Sequence, residues 1–186
     1  MTTIYFIRHS QSDFNIKDDR TRPLTDKGVA DCKLVTEFLK DKEIDVVLSS
    51  PYKRSVDTVK DFTNSVNLSI QTVEDFRERD HVWVDDWQEL VEKQWADFSY
   101  SDPGDECLAD TQKRNISALN NVLKIHKNKN IVIGTHGTAL STVINFYDKN
   151  YLFKDFMEMV FLTPWVAKMS FEGYDFVNIE KINLFE

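Results

Sequence analysis

Residues 3–10 read Thr3-Ile4-Tyr5-Phe6-Ile7-Arg8-His9-Ser10. Five successive β-branched or aromatic side chains make a short strand, and the run stops abruptly on three polar residues. Working outward, the same strand-then-polar pattern returns three times. Ile44–Leu48 runs into Ser49-Ser50-Pro51, Ser69–Val73 leads toward Arg77-Glu78-Arg79, and Ile131–Gly134 ends at Thr135-His136-Gly137. Helical patterns fall between them. Thr25 can cap a helix with apolar positions Val29, Leu34, Phe38 and Leu39. Ser50 as cap with Pro51 at the first helical position opens another, running toward Asn64. Glu106 to about Lys127 reads as a long helix with Leu108, Leu119, Val122 and Leu123 on one face, and Gly137–Tyr147 as a further one. Val166–Phe171 and Phe176–Ile182 flank Glu172-Gly173-Tyr174-Asp175 as a closing hairpin. Strands alternating with helices predict an α/β fold, a three-layer α/β/α sandwich on a mostly parallel sheet with right-handed crossovers.

The chain of 186 residues suits one domain spanning 1–186. Hydrophobic residues make up 41% and charged residues 29%, the balance of a globular chain. Net charge is −8, which argues against sequence-blind binding to nucleic acid or anionic membrane, since both need a basic footprint. No apolar run is long enough for a bilayer span, and the N-terminus lacks a basic stretch followed by a long apolar one. Cys32 and Cys107 form no CxxC pair, so reduced thiols and a cytoplasmic location are expected, without a thiolate metal site. The acids are unevenly spread. Glu74–Asp110 holds 13 acids against 3 bases, together with Trp83, Trp87 and Trp95. Val84, Trp87, Val91, Trp95 and Phe98 recur at roughly helical spacing, which predicts an amphipathic helix docked on the core. The sharper expectation is an acidic, aromatic-rich insertion that forms a lid over a substrate pocket.

Ligands of an open α/β sheet bind outside the carboxyl ends of the strands. Four predicted strand ends carry Arg8, His9, Ser10 and then Asn15; Ser49, Ser50 and then Arg54; Arg77, Glu78 and Arg79; and Thr135, His136 and Gly137. Singly, each has an ordinary structural use: a hydrogen-bonded histidine, a solvated arginine, a turn asparagine. Together they suit phosphoryl transfer. Arginine forks grip phosphate oxygens in a geometry lysine cannot reproduce. A neutral imidazole attacks phosphorus, a second stabilises charge on the equatorial oxygens, and a carboxylic acid protonates the leaving group. There is no GxxxxGK[ST] loop and no evident carboxylate pair for magnesium, so a reaction without metal or other cofactor is the simpler expectation.

The run Arg8-His9-Ser10-Gln11-Ser12-Asp13-Phe14-Asn15 resembles the RHG-[EQ]-[ST]-x-x-N signature of the histidine phosphatase superfamily, phosphoglycerate mutase-like branch. Similar motifs follow in family order: Pro23-Leu24-Thr25 with Gly28, Ser49-Ser50-Pro51 with Arg54-Ser55 and Thr58, Glu78-Arg79, Gly104-Asp105-Glu106-Cys107-Leu108, and Thr135-His136-Gly137-Thr138. The resemblance covers most of the chain to about residue 145. It implies a phosphoglycerate mutase-like fold, with His9 as the nucleophile that becomes phosphohistidine. Arg8, Arg54 and His136 would surround the phosphate, and Asn15 would donate a further hydrogen bond to it. Glu78 would act as acid and then as base. Arg79 matches a substrate-contacting arginine of mutases and Arg77 an arginine of phosphatases, so that position leaves the two branches open. Arg20 or Arg22 would be further substrate contacts.

Two departures stand out. Ser10 replaces the usual glycine, where its hydroxyl could join the substrate shell. Asp80-His81-Val82-Trp83 replaces the runs usual after the acid, with His81 expected as a surface histidine and, as the alternative, a pocket residue. The expected activity is hydrolysis of a small phosphorylated metabolite, a length of 186 residues favouring this over a mutase. The alternatives are a bisphosphoglycerate-dependent phosphoglycerate mutase and a non-catalytic phosphoryl-binding module.

Overall fold

The computed structural model describes residues 1–84 and 86–186. Its six strands are β1 (Thr2–Arg8), β2 (Val46–Ser49), β3 (Ile70–Thr72), β4 (Asn130–Thr135), β5 (Trp165–Glu172) and β6 (Asp175–Asn183). Its six α-helices are α1 (Asp26–Leu39), α2 (Lys53–Val66), α3 (Trp87–Ala96), α4 (Leu108–Ile125), α5 (Gly137–Tyr147) and α6 (Phe153–Val160). The strands form one sheet in the order β3-β2-β4-β1-β5-β6. The four strands from β3 to β1 run parallel, and the β5–β6 hairpin adds antiparallel to β1. The sheet is thus mostly parallel, within the expected α/β class.

Alternation along the strands assigns the two faces. Ile4, Phe6, Ile131, Ile133, Ala167 and Met169 pack with residues of α3–α6 on one side. Tyr5, Ile7, Val47, Val132 and Val166 meet Val35, Leu39, Val59 and Phe62 of α1 and α2 on the other. Thr25 caps α1 as expected, its hydroxyl accepting from the Gly28 amide at 3.0 Å. Gly28 is required by a close approach: a Cβ there would lie 2.1 Å from the Gln11 carbonyl oxygen. The buried stripe of α1 is Gly28, Cys32, Val35 and Leu39, which corrects the expectation for Val29, 58% exposed.

A second correction concerns α2. It begins at Lys53, with Tyr52 rather than Ser50 as its N-cap residue, and runs past Asn64 to Val66. The reason is chemical: the Ser50 hydroxyl is committed to His136 at 2.7 Å and accepts the Tyr52 amide at 3.2 Å. The expected helical stripe from Val84 to Phe98 is also shorter, since only Trp87–Ala96 is helical. No helix among the described residues is long and apolar enough to cross a membrane.

Candidate active site

Strands β2, β4 and β1 are contiguous in the sheet and in register at their carboxyl ends. Arg8 lies opposite Thr135, and Ser49 opposite Gly134. The residues just beyond are tied together by main chain, the His9 amide donating to Thr135 at 3.1 Å and the Ser50 amide to Gly134 at 2.9 Å. This brings Arg8, His9, Ser50 and His136 to one edge, and the first turn of α2 adds Arg54.

His9 is almost fully buried, and its ring hydrogen bonds assign its tautomer. Nδ1–H donates to the Ser10 carbonyl at 2.7 Å, while Nε2 accepts from Arg54 Nε at 3.1 Å. The Nε2 lone pair therefore points at the guanidinium that would hold an anion. Burial, reinforced by Arg54 and Arg8, pushes the His9 imidazolium well below the ordinary range, so the ring is neutral at pH 7. Burial and Arg54 act likewise on His136, which is inaccessible to solvent, and the two rings lie 5.3 Å apart.

Arg8 donates from one terminal nitrogen to the carbonyls of Met159 at 2.6 Å and Leu162 at 3.0 Å, at the end of α6. Arg54 is buried and holds the Asp19 carbonyl. Burial lowers both guanidinium groups only to about 10, so both stay charged. Two buried nitrogens of this cluster, the donor Arg8 Nε and His136 Nδ1, have no protein partner among the described residues. Buried polar atoms without partners are uncommon, and converging ones mark a place for a ligand.

Glu78 closes the far side. Its carboxylate accepts the amides of Arg79, Thr138 and Ala139 at 2.8–2.9 Å and so sits on the first turn of α5. A cavity of about 710 Å³ is lined by Arg8, His9, Arg54 and Glu78 together with apolar and aromatic residues from α3, α6 and the 82–84 segment.

The remaining expected residues divide. Arg79 and His81 line the cavity, and Arg79 is ion-paired with buried Asp105 at 3.2 Å. Ser10 is fully buried, with its hydroxyl 3.7 Å from Cys32 Sγ and its amide on Thr58 Oγ1. It is not among the residues with positive φ, so a side chain is accommodated there. Asn15 is exposed, bonds Asp13 at 2.8 Å and does not line the cavity. Arg77 and Arg20 also stand off it: Arg77 holds Glu106 at 2.9 Å, and Arg20 pairs with Glu74 on the surface. Arg22 does reach it, 2% exposed, paired with Asp19 and packed between the Phe14 and Trp83 rings.

Arg114, a residue with no local sequence signal, organises the Glu78 loop together with Glu106 of the 104–108 motif. Arg114 of α4 donates to the carbonyls of Asp75, Arg77 and Glu78 and grips Glu106 with two nitrogens at 2.6 and 2.8 Å. Burial opposes the Glu106 charge, but Arg114 and Arg77 hold its carboxyl down at about 2. The partners of Arg114 lie up to 39 residues away, so no short motif contains them.

Residues 4–157 match the histidine phosphatase superfamily, branch 1. The chain belongs to that superfamily. It is 28% identical over 149 residues to an uncharacterised phosphatase of Bacillus subtilis, covering 77% of this chain and 76% of the relative. It is 30% identical over 161 residues to a putative phosphoserine phosphatase of Hydrogenobacter thermophilus, covering 77% of each. The fold superimposes on a phosphoserine phosphatase mutant of Entamoeba histolytica solved with phosphoserine, at a TM-score of 0.77, 20% identity, and coverage of 98% and 97%. This histidine phosphatase superfamily member is an enzyme of the phosphatase class with a phosphoglycerate mutase-like fold.

Proposed function

We propose that the enzyme hydrolyses a small phosphomonoester through a phosphohistidine at His9, without a metal ion. One observation carries the reading: a neutral His9 whose Nε2 lone pair meets Arg54, beside two buried nitrogens that lack partners, Arg8 Nε and His136 Nδ1. A phosphoryl group would take up these nitrogens. The groups around His9 are cationic or neutral nitrogens, a donor set for an oxyanion rather than for a divalent cation.

In the first step Nε2 of His9 attacks phosphorus, the N–P bond forms and the ester P–O bond breaks. The departing oxygen takes a proton from Glu78. Water then gives its proton to Glu78 and attacks phosphorus, the N–P bond breaks, and inorganic phosphate leaves. Arg8, Arg54 and His136 would hold the equatorial oxygens throughout. The Ser10 carbonyl keeps the nucleophile in the tautomer this requires.

The test is phosphate release from p-nitrophenyl phosphate, with trapping of ³²P on the protein in a rapid acid quench. Label on wild type but not on His9→Ala supports the assignment. Turnover unchanged in His9→Ala excludes it. Isomerisation of 3-phosphoglycerate with little free phosphate, in the presence of 2,3-bisphosphoglycerate, would favour a mutase instead.

A further inference from the structure

The cavity is far larger than a phosphate, and its remaining wall has an unusual balance. Two buried arginines beyond the Arg8–Arg54 pair reach it, and each is already answered by a carboxylate. Arg22 pairs with Asp19, whose other oxygen lies 3.4 Å from Arg54, and Arg79 pairs with Asp105. Burial and the Arg79 charge also push His81 below the ordinary imidazole range, which keeps it neutral. The remaining cation on the wall, Lys17, is exposed and lies over the Trp83 ring at 4.3 Å. The buried wall is therefore close to electroneutral.

It is nevertheless rich in unmet hydrogen bonds. Arg22 Nε, Arg79 Nε and Ser12 Oγ are buried without partners among the described residues, and all three residues line the cavity. Asp19, a carboxylate acceptor, lines it too. Beside them lie apolar surfaces, with the Phe14 and Trp83 rings 6.0 Å apart edge to face, and Trp87 and Phe161 on the wall. Phe14, Trp83 and Phe161 remain 38–70% exposed at the surface despite their size, which marks a binding face rather than core.

A carboxylate on the substrate would enter a wall whose guanidinium charges are already neutralised and would meet Asp19. Its desolvation would go uncompensated. A hydroxyl fits better: it accepts from an arginine N–H and donates to Asp19 without bringing charge. The apolar face of a ring of such hydroxyl-bearing carbons can lie against this aromatic surface.

We infer that the preferred substrate is the monophosphate of a neutral, polyhydroxylated body, a sugar or cyclic polyol phosphate, rather than a phosphorylated carboxylic acid. The inference rests on the hydrolytic reading above, and Asp19 and Trp83 are its specificity-determining residues. Phosphate is the one anionic group such a substrate carries.

The experiment measures kcat/KM for phosphate release from pentose and hexose monophosphates, from phosphoserine and 3-phosphoglycerate, and from p-nitrophenyl phosphate as reference. Sugar phosphates are expected to exceed both carboxylated substrates by about tenfold or more, the scale of one charge-assisted hydrogen bond. Asp19→Asn removes the neutralising charge with little change of shape. It should lower the sugar-to-phosphoglycerate ratio by about the same factor. Trp83→Ala, at a partly exposed position, supplies a second route should Asp19→Asn not fold. It should raise KM for hexose phosphate several-fold while leaving that for 3-phosphoglycerate, which has no ring, unmoved. Equal or better turnover of the carboxylated substrates, or equal effects of the variants on both classes, overturns the inference while p-nitrophenyl phosphate turnover leaves the hydrolytic reading standing. Absence of turnover on every substrate overturns both.

Discussion

The floor of the cavity and its wall are built by different means. The floor, with Arg8 and His9, is made at the ends of β1, β2 and β4, where main-chain pairing also brings the fully buried Ser50 and His136 to the same edge. The wall on the Glu78 side comes from residues 74–106, which contribute one short helix and are held by side-chain ion pairs. Arg114, Arg77 and Glu106 secure the Glu78 loop, and the Arg79–Asp105 pair secures the segment after it. The floor keeps Arg8 Nε unpaired for an anion, whereas the wall arginines are ion-paired, Arg79 with Asp105 and Arg22 with an Asp19 that also reaches Arg54 at 3.4 Å. A sheet edge can hold costly unpaired groups in place because its backbone is fixed independently of them. A loop of this kind requires its charges for its own structure.

Substitutions should therefore separate chemistry from stability according to region. His9→Ala is expected to abolish turnover of p-nitrophenyl phosphate, by the order of 10⁴-fold or more, while the melting transition is retained. Removal of the nucleophile takes no part of the backbone pairing with it. In the wall, Arg114→Met should do the reverse. It strands three carbonyls and leaves Glu106 with Arg77 and the Asp80 amide, and breaking part of a buried ion-pair network of this type costs about 3 kcal/mol. Urea denaturation reads this loss directly. A fully stable Arg114→Met protein would show that the ion pairs do not hold the wall.

The same difference explains how much of the molecule is legible in its sequence. Strand ends are legible because apolar runs stop abruptly at Arg8, Ser49 and Thr135, and every residue just beyond lands at one edge by topology alone. Gly137–Tyr147 agrees residue for residue with α5. The start of α2 is misleading because a local capping pattern at Ser50-Pro51 loses to a long-range bond, Ser50 to His136. The wall is legible only in outline. Its tryptophans and acids announce an amphipathic segment, but neither Arg114 nor the pairing of Arg22 with Asp19 leaves a periodic trace. The helix α6, whose terminal carbonyls Arg8 holds, also escapes notice, its eight residues being too short for a clear period.

Glu78 belongs to both regions, being carried by the wall and delivered to the floor. Glu78→Gln should preserve its acceptor bonds from Thr138 and Ala139 in part while removing the proton. Hydrolysis of an alkyl phosphate should then slow by about 10²-fold, and that of p-nitrophenyl phosphate much less, because nitrophenolate leaves without protonation. Equal slowing on both esters would remove Glu78 from the acid role and leave it as a positioning residue of α5.

The smallest expected effect is the response to pH, where floor and wall should part along the axis itself. His9 and His136 are held neutral in the folded protein, well below the ordinary imidazole value of about 6.5, chiefly by burial and then by Arg54. Below that value the unfolded chain binds protons the folded one refuses. Stability should therefore fall as pH drops from about 6.5, by at most about 1.4 kcal/mol per pH unit for each imidazole. Glu106 behaves differently: its folded value is about 2, so its contribution is complete above the unfolded carboxyl value of about 4.3 and is lost only as pH falls below that. Denaturation midpoints taken from about pH 7.5 to 3 should show two successive declines. His136→Gln should make the first shallower, the parts due to His9 and His81 remaining, and leave the second in place. Glu106→Gln should do the converse. An unchanged first decline in His136→Gln would mean that the floor does not keep that histidine neutral by burial. Phosphate should also steepen the first decline, because binding to the neutral-histidine floor stabilises only the folded state and weakens if the anion is itself protonated at lower pH.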